Sequence, residues 1–227
     1  MISIITVNWN AYDFLYLLME SLEIHSTTSY QLIIVDNSIK KRPIPKKNVI
    51  HRLMTSNIGH GEGLNEGARF VKTPYTMFLD VDCHVLETNW EKPFLDLMEN
   101  YDVVGGKGVP SKPIRPACMF MKSEIAKKYD WSASKGYKGN RVTPEGYDVA
   151  IKAYHQMVKD QIKIKLIESK NNRYGTLNGE EWCIENQPLV YHHWHGSHLK
   201  ERSEDYPDKD LLADKKQLLS NVRWKII

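Results

Sequence analysis

The chain has 227 residues, 41% of them hydrophobic and 26% charged, with a formal net charge of +3. That is enough chain for one sizeable core, and its composition is not that of a disordered, fibrous or membrane-spanning protein. So weak a positive charge suits an anionic small molecule or a membrane surface, and no nucleic-acid partner is expected.

The predicted elements alternate. Ile2 to Val7 is a short β-rich apolar run closed by Asn8-Trp9-Asn10, and Tyr12 to Leu22 carries apolar residues at helical spacing. Gln31 to Val35 is a second buried strand, stopped by Asp36-Asn37-Ser38, and Val49 to Leu53 is a third. Gly59 to Val71 is glycine-rich at its start and then helical. Tyr75 to Leu79 is a strand bounded by Pro74 and ending at Asp80-Val81-Asp82. A helix over Trp90 to Asn100, strands over Asp102 to Gly106 and Ala117 to Lys122, and a short helix from Ser123 follow.

Residues 132–143 read as a Gly/Lys/Ser-rich loop. Thr143-Pro144-Glu145 is a helix start, with a capping residue, a proline and an acid in order, and the helix should run to about Lys159. Lys163 to Glu168 reads as a strand and Asn171 to Glu180 as a turn-rich loop. Leu189 to Trp194 is a strand running into His195, and Leu211 to Val222 a terminal helix. This order predicts a single α/β domain with a largely parallel sheet. Ligands of such sheets bind beyond the carboxyl ends of the strands, where Asn8, Asp36, Asp80 and Asp82 fall.

Asp80 and Asp82 are one residue apart, so an extended strand would turn both carboxylates to one face. Hard oxygen ligands of this kind suit Mg²⁺ or Mn²⁺ carrying a diphosphate. Cys83, Cys118 and Cys183 are odd in number and form no C-x-x-C pair, so reduced thiols in a cytoplasmic setting are expected. Met1-Ile2-Ser3-Ile4 lacks the basic start of a signal peptide, and no apolar run is long enough to cross a bilayer. Lys40-Lys41-Arg42 and Lys46-Lys47, beside Pro43 and Pro45, form a small basic loop that leaves room for peripheral membrane contact.

Seven segments resemble, in order, the motifs of family-two glycosyltransferases. They are Ser3 to Asn10, Leu32 to Ser38, Asn57-Ile58-Gly59 with Asn65-Glu66-Gly67, Asp80-Val81-Asp82, Ala117 to Glu124, Asp148 to Lys152, and His192 to Ser197. The resemblance implies the GT-A fold, a Rossmann-like nucleotide-diphospho-sugar transferase fold with a mostly parallel central sheet flanked by helices. It also implies one domain over residues 1–227. Residues 1–100 would form the nucleotide half, and 101–227 the acceptor half and C-terminal helix.

The activity implied is metal-dependent, inverting transfer of a sugar from a nucleotide-diphosphate donor, a UDP-sugar being favoured, to a glycan or glycolipid hydroxyl. The cofactor implied is Mn²⁺ or Mg²⁺. Its ligands would be Asp82 first, Asp80 directly or through water, and a histidine, His195 before His193. Thr6, Asn8, Asp36, Asn57, Gly63, Asn65 and Asp80 would line the donor. Leu64 stands where relatives often carry a diphosphate-binding arginine, so Lys200 or Arg202 would supply that charge. Gly146 stands where relatives place the base that deprotonates the acceptor, which leaves Asp148 and Glu145 as the candidates. Trp131, Tyr137 and Tyr147 are candidate sugar-stacking rings. A nucleotidyltransferase and a non-catalytic sugar-nucleotide binding module are the alternatives. The first lacks its usual glycine- and arginine-rich loop after the first strand, and Gly146 would suit the second.

Overall fold

The computed structural model describes residues 1–109, 112–133, 148–174 and 177–193. The chain opens with β1 (Ile2–Asn8), α1 (Tyr12–His25), β2 (Tyr30–Asp36), β3 (Val49–Leu53), α2 (His60–Ala68) and β4 (Tyr75–Leu79). Then come β5 (Cys83–Val85), α3 (Glu91–Leu97), β6 (Val103–Val109), β7 (Lys112–Lys122) and α4 (Ser123–Lys128). The rest is α5 (Ile151–Lys159), β8 (Ile164–Ile167), β9 (Ser169–Tyr174), β10 (Leu177–Ile184) and β11 (Gln187–His193).

Seven strands form one sheet in the order β3-β2-β1-β4-β7-β6-β8. The pairs β3–β2, β2–β1, β1–β4 and β6–β8 are parallel, whereas β7 runs antiparallel to both its neighbours. All seven residues of β1 are buried. A central parallel strand is covered on both faces, which is why its sequence is a continuous apolar run rather than an alternating one. Ile2 and Ile4 pack with Leu15, Leu18 and Leu22 of α1, while Ile5 and Val7 pack with Leu64 and Ala68 of α2. Helix α2 comes close to the sheet because it carries Gly63 where a Cβ would lie 2.8 Å from both methyls of Val7.

A second, antiparallel sheet has the order β5-β11-β10-β9. It corrects the expectation of a loop over Asn171 to Glu180, since β9 and β10 pair there from Ser169↔Trp182 to Tyr174↔Leu177. The asparagines and glycine of that stretch read as turn formers, but pairing with β11 overrides so weak a local preference. Glu185 and Asn186 have φ of 50° and 67°, the left-handed pair of a two-residue hairpin joining β10 to β11. The three-residue β5 also escapes the sequence reading.

Helix α5 begins at Ile151, after Ala150 at φ 67°, so Asp148 lies before the helix and not within it. The proposed cap at Thr143, the loop over 134–143 and the helix from Leu211 lie outside the described residues. Among the described residues no helix is long and apolar enough to cross a membrane.

Candidate active site

The acidic pair stands on a turn between the two sheets. β4 ends at Leu79, the Asp80 carbonyl accepts the Cys83 amide at 2.9 Å, and β5 starts at Cys83. Asp80 and Asp82 are therefore not alternate residues of one extended strand. The turn instead carries both acids to one imidazole, that of His192. Its Nε2 lies 3.5 Å from Asp82 Oδ1 and 3.8 Å from Asp80 Oδ2. Two ligand atoms each about 2.1 Å from a shared ion are roughly 3–4 Å apart, so this spacing fits one hard divalent cation. The ligand atoms of Asp82, Cys83 and His192 all fall within 4.8 Å of one another.

The three donors differ in quality. Asp82 is buried, with 5% of its side chain exposed. Cys83 donates its thiol to the Ala117 carbonyl at 3.3 Å. Burial first, then the charges of Asp80 and Asp82, push that thiol well above its ordinary pKa, and a soft sulfur ligand suits Mn²⁺ or Mg²⁺ less than carboxylate oxygen does. Asp80 is the more open acid, and His60 Nε2, at the first turn of α2, sits 3.2 Å from its Oδ1. Burial raises the Asp80 pKa, but His60 and His192 outweigh it and hold the carboxyl below its usual value. For His192 burial acts downward. Hydrogen bonds to Asp82 and Glu180 and the charges of Asp82 and Asp80 nevertheless lift it to about 10. Without a metal its imidazolium is the cation between the acids, and the residues present fit a divalent ion in that place.

His193 does not join this cluster. Strand alternation turns it to the opposite face of β11, where Nε2 meets His84 Nδ1 at 3.0 Å and the ring packs against Phe14 and Tyr191. Burial, then the charge of His192, lowers it to about 3. Of His192 and His193 it is thus His192 that faces the acids, inside the segment singled out from the sequence; His195, preferred there, lies outside the described residues. Strand alternation sets the two histidines on opposite faces, but no local signal says which of them meets the acids. His60 was passed over within a glycine-rich run.

Asp36, expected at the nucleoside, is held by the protein itself. Asp36 is fully buried, and protein groups use both its oxygens. Oδ1 accepts Asn8 Nδ2 at 3.1 Å and the Ser38 amide at 3.0 Å, while Oδ2 accepts the Tyr12 hydroxyl at 2.6 Å and His51 Nε2 at 3.0 Å. A carboxylate has about four acceptor directions, and these contacts take all of them. Register causes this, since Asn8 lies opposite Asp36. Asn8 spends its own carbonyl on the Ala11 amide at 3.2 Å, at the start of α1. Thr6 is likewise buried in β1.

Asn57 closes its own turn by accepting the Gly59 amide at 2.9 Å. Asn65 holds the segment after α4. It donates to Asp130 at 2.8 Å and Ser132 at 2.9 Å and accepts the Trp131 amide at 3.0 Å. Trp131 is a core ring rather than an open sugar platform, being fully buried and edge-on to Phe78 at 5.0 Å.

A chain of contacts runs from the acids toward Asp148. His60 touches Asp80. The next residue, Gly61, lies against Trp131 with room for no Cβ, since one would fall 2.5 Å from the Trp131 carbonyl. That carbonyl accepts the Ala150 amide at 3.1 Å. Asp148, two residues earlier, is buried, and its Oδ1 accepts the Val149 amide at 2.7 Å. Glu145, His195, Lys200, Arg202, Tyr137 and Tyr147 lie outside the described residues.

The model of Glycosyl transferase family 2 matches residues 3–155. No curated protein matches the sequence. Among solved structures, the fold is similar to that of TarS from S. aureus, residues 1–349, with a TM-score of 0.54 at 15% identity over 96% of this chain and 69% of that one. A longer TarS structure aligns at 0.55 with 14% identity, over 97% of this chain and 42% of its own. TarS 1–349 in complex with UDP aligns at 0.53 with 13% identity, covering 97% and 70%.

Proposed function

The chain belongs to glycosyl transferase family 2 and is a glycosyltransferase; within that family we propose metal-dependent, inverting transfer from a nucleotide-diphosphate sugar to a glycan or glycolipid hydroxyl. The observation that carries this reading is the convergence of Asp82, Asp80 and His192 on one spot at the end of the sheet. UDP-sugars are favoured as donors because a structurally similar TarS binds UDP.

Asp82 and His192 are the ligands of a Mn²⁺ or Mg²⁺ ion, with Asp80 beside them. A bound divalent ion neutralises the charge that builds on the leaving diphosphate. His60 holds Asp80 in place from the first turn of α2. Asp148 takes the proton from the attacking hydroxyl, with Glu145 as the other candidate, since Gly146 has no side chain to do so. Residues 1–100 serve mainly the donor and the remainder the acceptor. The three cysteines, all free and buried, suit a reducing, cytoplasmic setting.

The test is donor turnover with Mn²⁺ and with chelator, scoring the released nucleotide and the anomeric configuration of the product. Metal-dependent release of nucleoside diphosphate with an inverted product is expected. Release of pyrophosphate, or full activity in chelator, overturns the reading. Asp148→Asn should lower transfer by about 10²–10⁴-fold while donor binding holds. Unimpaired transfer by that variant would return the base to Glu145.

A further inference from the structure

Glu180 is a buried acid that nothing in the reaction requires directly. It is 1% exposed and sits in the middle of β10, in the second sheet. A buried carboxylate is costly unless its charge and lone pairs are met. Here Oε1 accepts Arg115 Nη1 at 2.7 Å and His192 Nδ1 at 3.2 Å, and Oε2 accepts Ser169 Oγ at 2.8 Å. Its partners come from three strands, β7, β11 and β9. Strand register alone sets the central contact, because Glu180 lies directly opposite His192. Side chains opposed in an antiparallel pair share one face.

The geometry points to Glu180 as the positioning residue that makes His192 a metal ligand. A histidine offers a lone pair at one nitrogen only when the other nitrogen keeps the proton. Glu180 holds the proton at Nδ1, which leaves Nε2 as the nitrogen turned to Asp82 and Asp80. A carboxylate behind an imidazole also raises its basicity toward the metal and stops the ring from rotating. Arg115 of β7 and Ser169 of β9 fix the carboxylate in turn, so both sheets hold the group that orients the ligand.

This inference rests on the metal-dependent reading above, and the experiment separates the two. Mn²⁺ alone is titrated into the full chain, and free ion is counted by its electron paramagnetic resonance signal. The variants are Glu180→Gln, His192→Gln and the double variant. Glu180→Gln keeps the shape and an acceptor oxygen but loses the charge. It should weaken Mn²⁺ binding by about 10–100-fold, the range for residues behind a metal ligand. In the His192→Gln background the same change should have no further effect, because its route to the ion is already gone. Equal Mn²⁺ binding by Glu180→Gln and the wild type overturns the inference. So does the same fold-loss in both backgrounds, since a general structural role predicts that result. If the wild type binds no Mn²⁺, the metal reading itself has failed and this inference falls with it.

Discussion

His192 and His193 are adjacent in the chain and face opposite sides of β11. One imidazole stands 3.5 Å from the Asp82 carboxylate, and the other stands 3.0 Å from His84 in the interior against Phe14. The two environments shift the same chemical group in opposite directions. Burial dominates at His193, whereas at His192 three carboxylates overcome it.

The opposed shifts predict a two-sided pH profile for the metal-free protein. His193 is lowered from 6.5 to about 3, so over that interval the unfolded chain takes up a proton that the folded one refuses. Its contribution is complete above about pH 6.5 and is lost as the pH falls toward 3. His192 is raised from 6.5 to about 10, and its contribution is complete below about pH 6.5 and lost as the pH rises through 10. Urea unfolding across this range should show His192→Gln losing the alkaline dependence and keeping the acid one. An unchanged alkaline limb in that variant contradicts the assignment.

Asp82→Asn keeps the shape of the most enclosed acid and removes its charge. Metal-dependent donor turnover should fall by about a hundredfold or more, as for loss of one preorganised electrostatic group. The circular dichroism spectrum should stay the same. Full turnover with Mn²⁺ would remove Asp82 from the metal site.

Asp36→Ala should be chiefly a stability variant. It strips Asn8, Tyr12, His51 and Ser38 of a common acceptor inside the protein. Leaving several buried donors unmet should cost roughly 2–5 kcal/mol in denaturant unfolding. If calorimetry instead shows weaker nucleotide binding with unchanged stability, the carboxylate reaches the ligand after all.

Gly61→Ala should loosen the site from a distance. The new Cβ would meet the Trp131 carbonyl at 2.5 Å and the Ser132 Cα at 2.6 Å, and backbone atoms cannot swing aside. The first turn of α2 must then lift and carry His60 away from Asp80. A loss of about 1–3 kcal/mol is expected, with weaker Mn²⁺ binding. Gly63→Ala, which presses only on the methyls of Val7, should spare the metal. The reverse ranking in Mn²⁺ titrations would show that α2 does not transmit the strain.

The first half of the fold was legible in the sequence. Ile2 to Val7, Gln31 to Val35 and Tyr75 to Leu79 are apolar runs whose length and borders specify buried parallel strands, and Tyr12 to Leu22 has the period of a helix. Asp80 and Asp82 could be singled out because acids that end a buried strand have few structural reasons to be there. The second sheet was not legible. β9 and the stretch of β10 from Asn178 to Glu181 are polar, and a polar strand is stabilised by its partners rather than by its own composition. The same holds at the site. Local sequence determines which residues can ligate, but register and facing determine which do. Pairing of β11 with β5 and β10 brings His192 to Asp82 and Glu180 and turns His193 inward. Pairing of β1 with β2 encloses Asp36. These are relations between segments distant in the chain, so no local pattern carries them, and only the tertiary structure decides them.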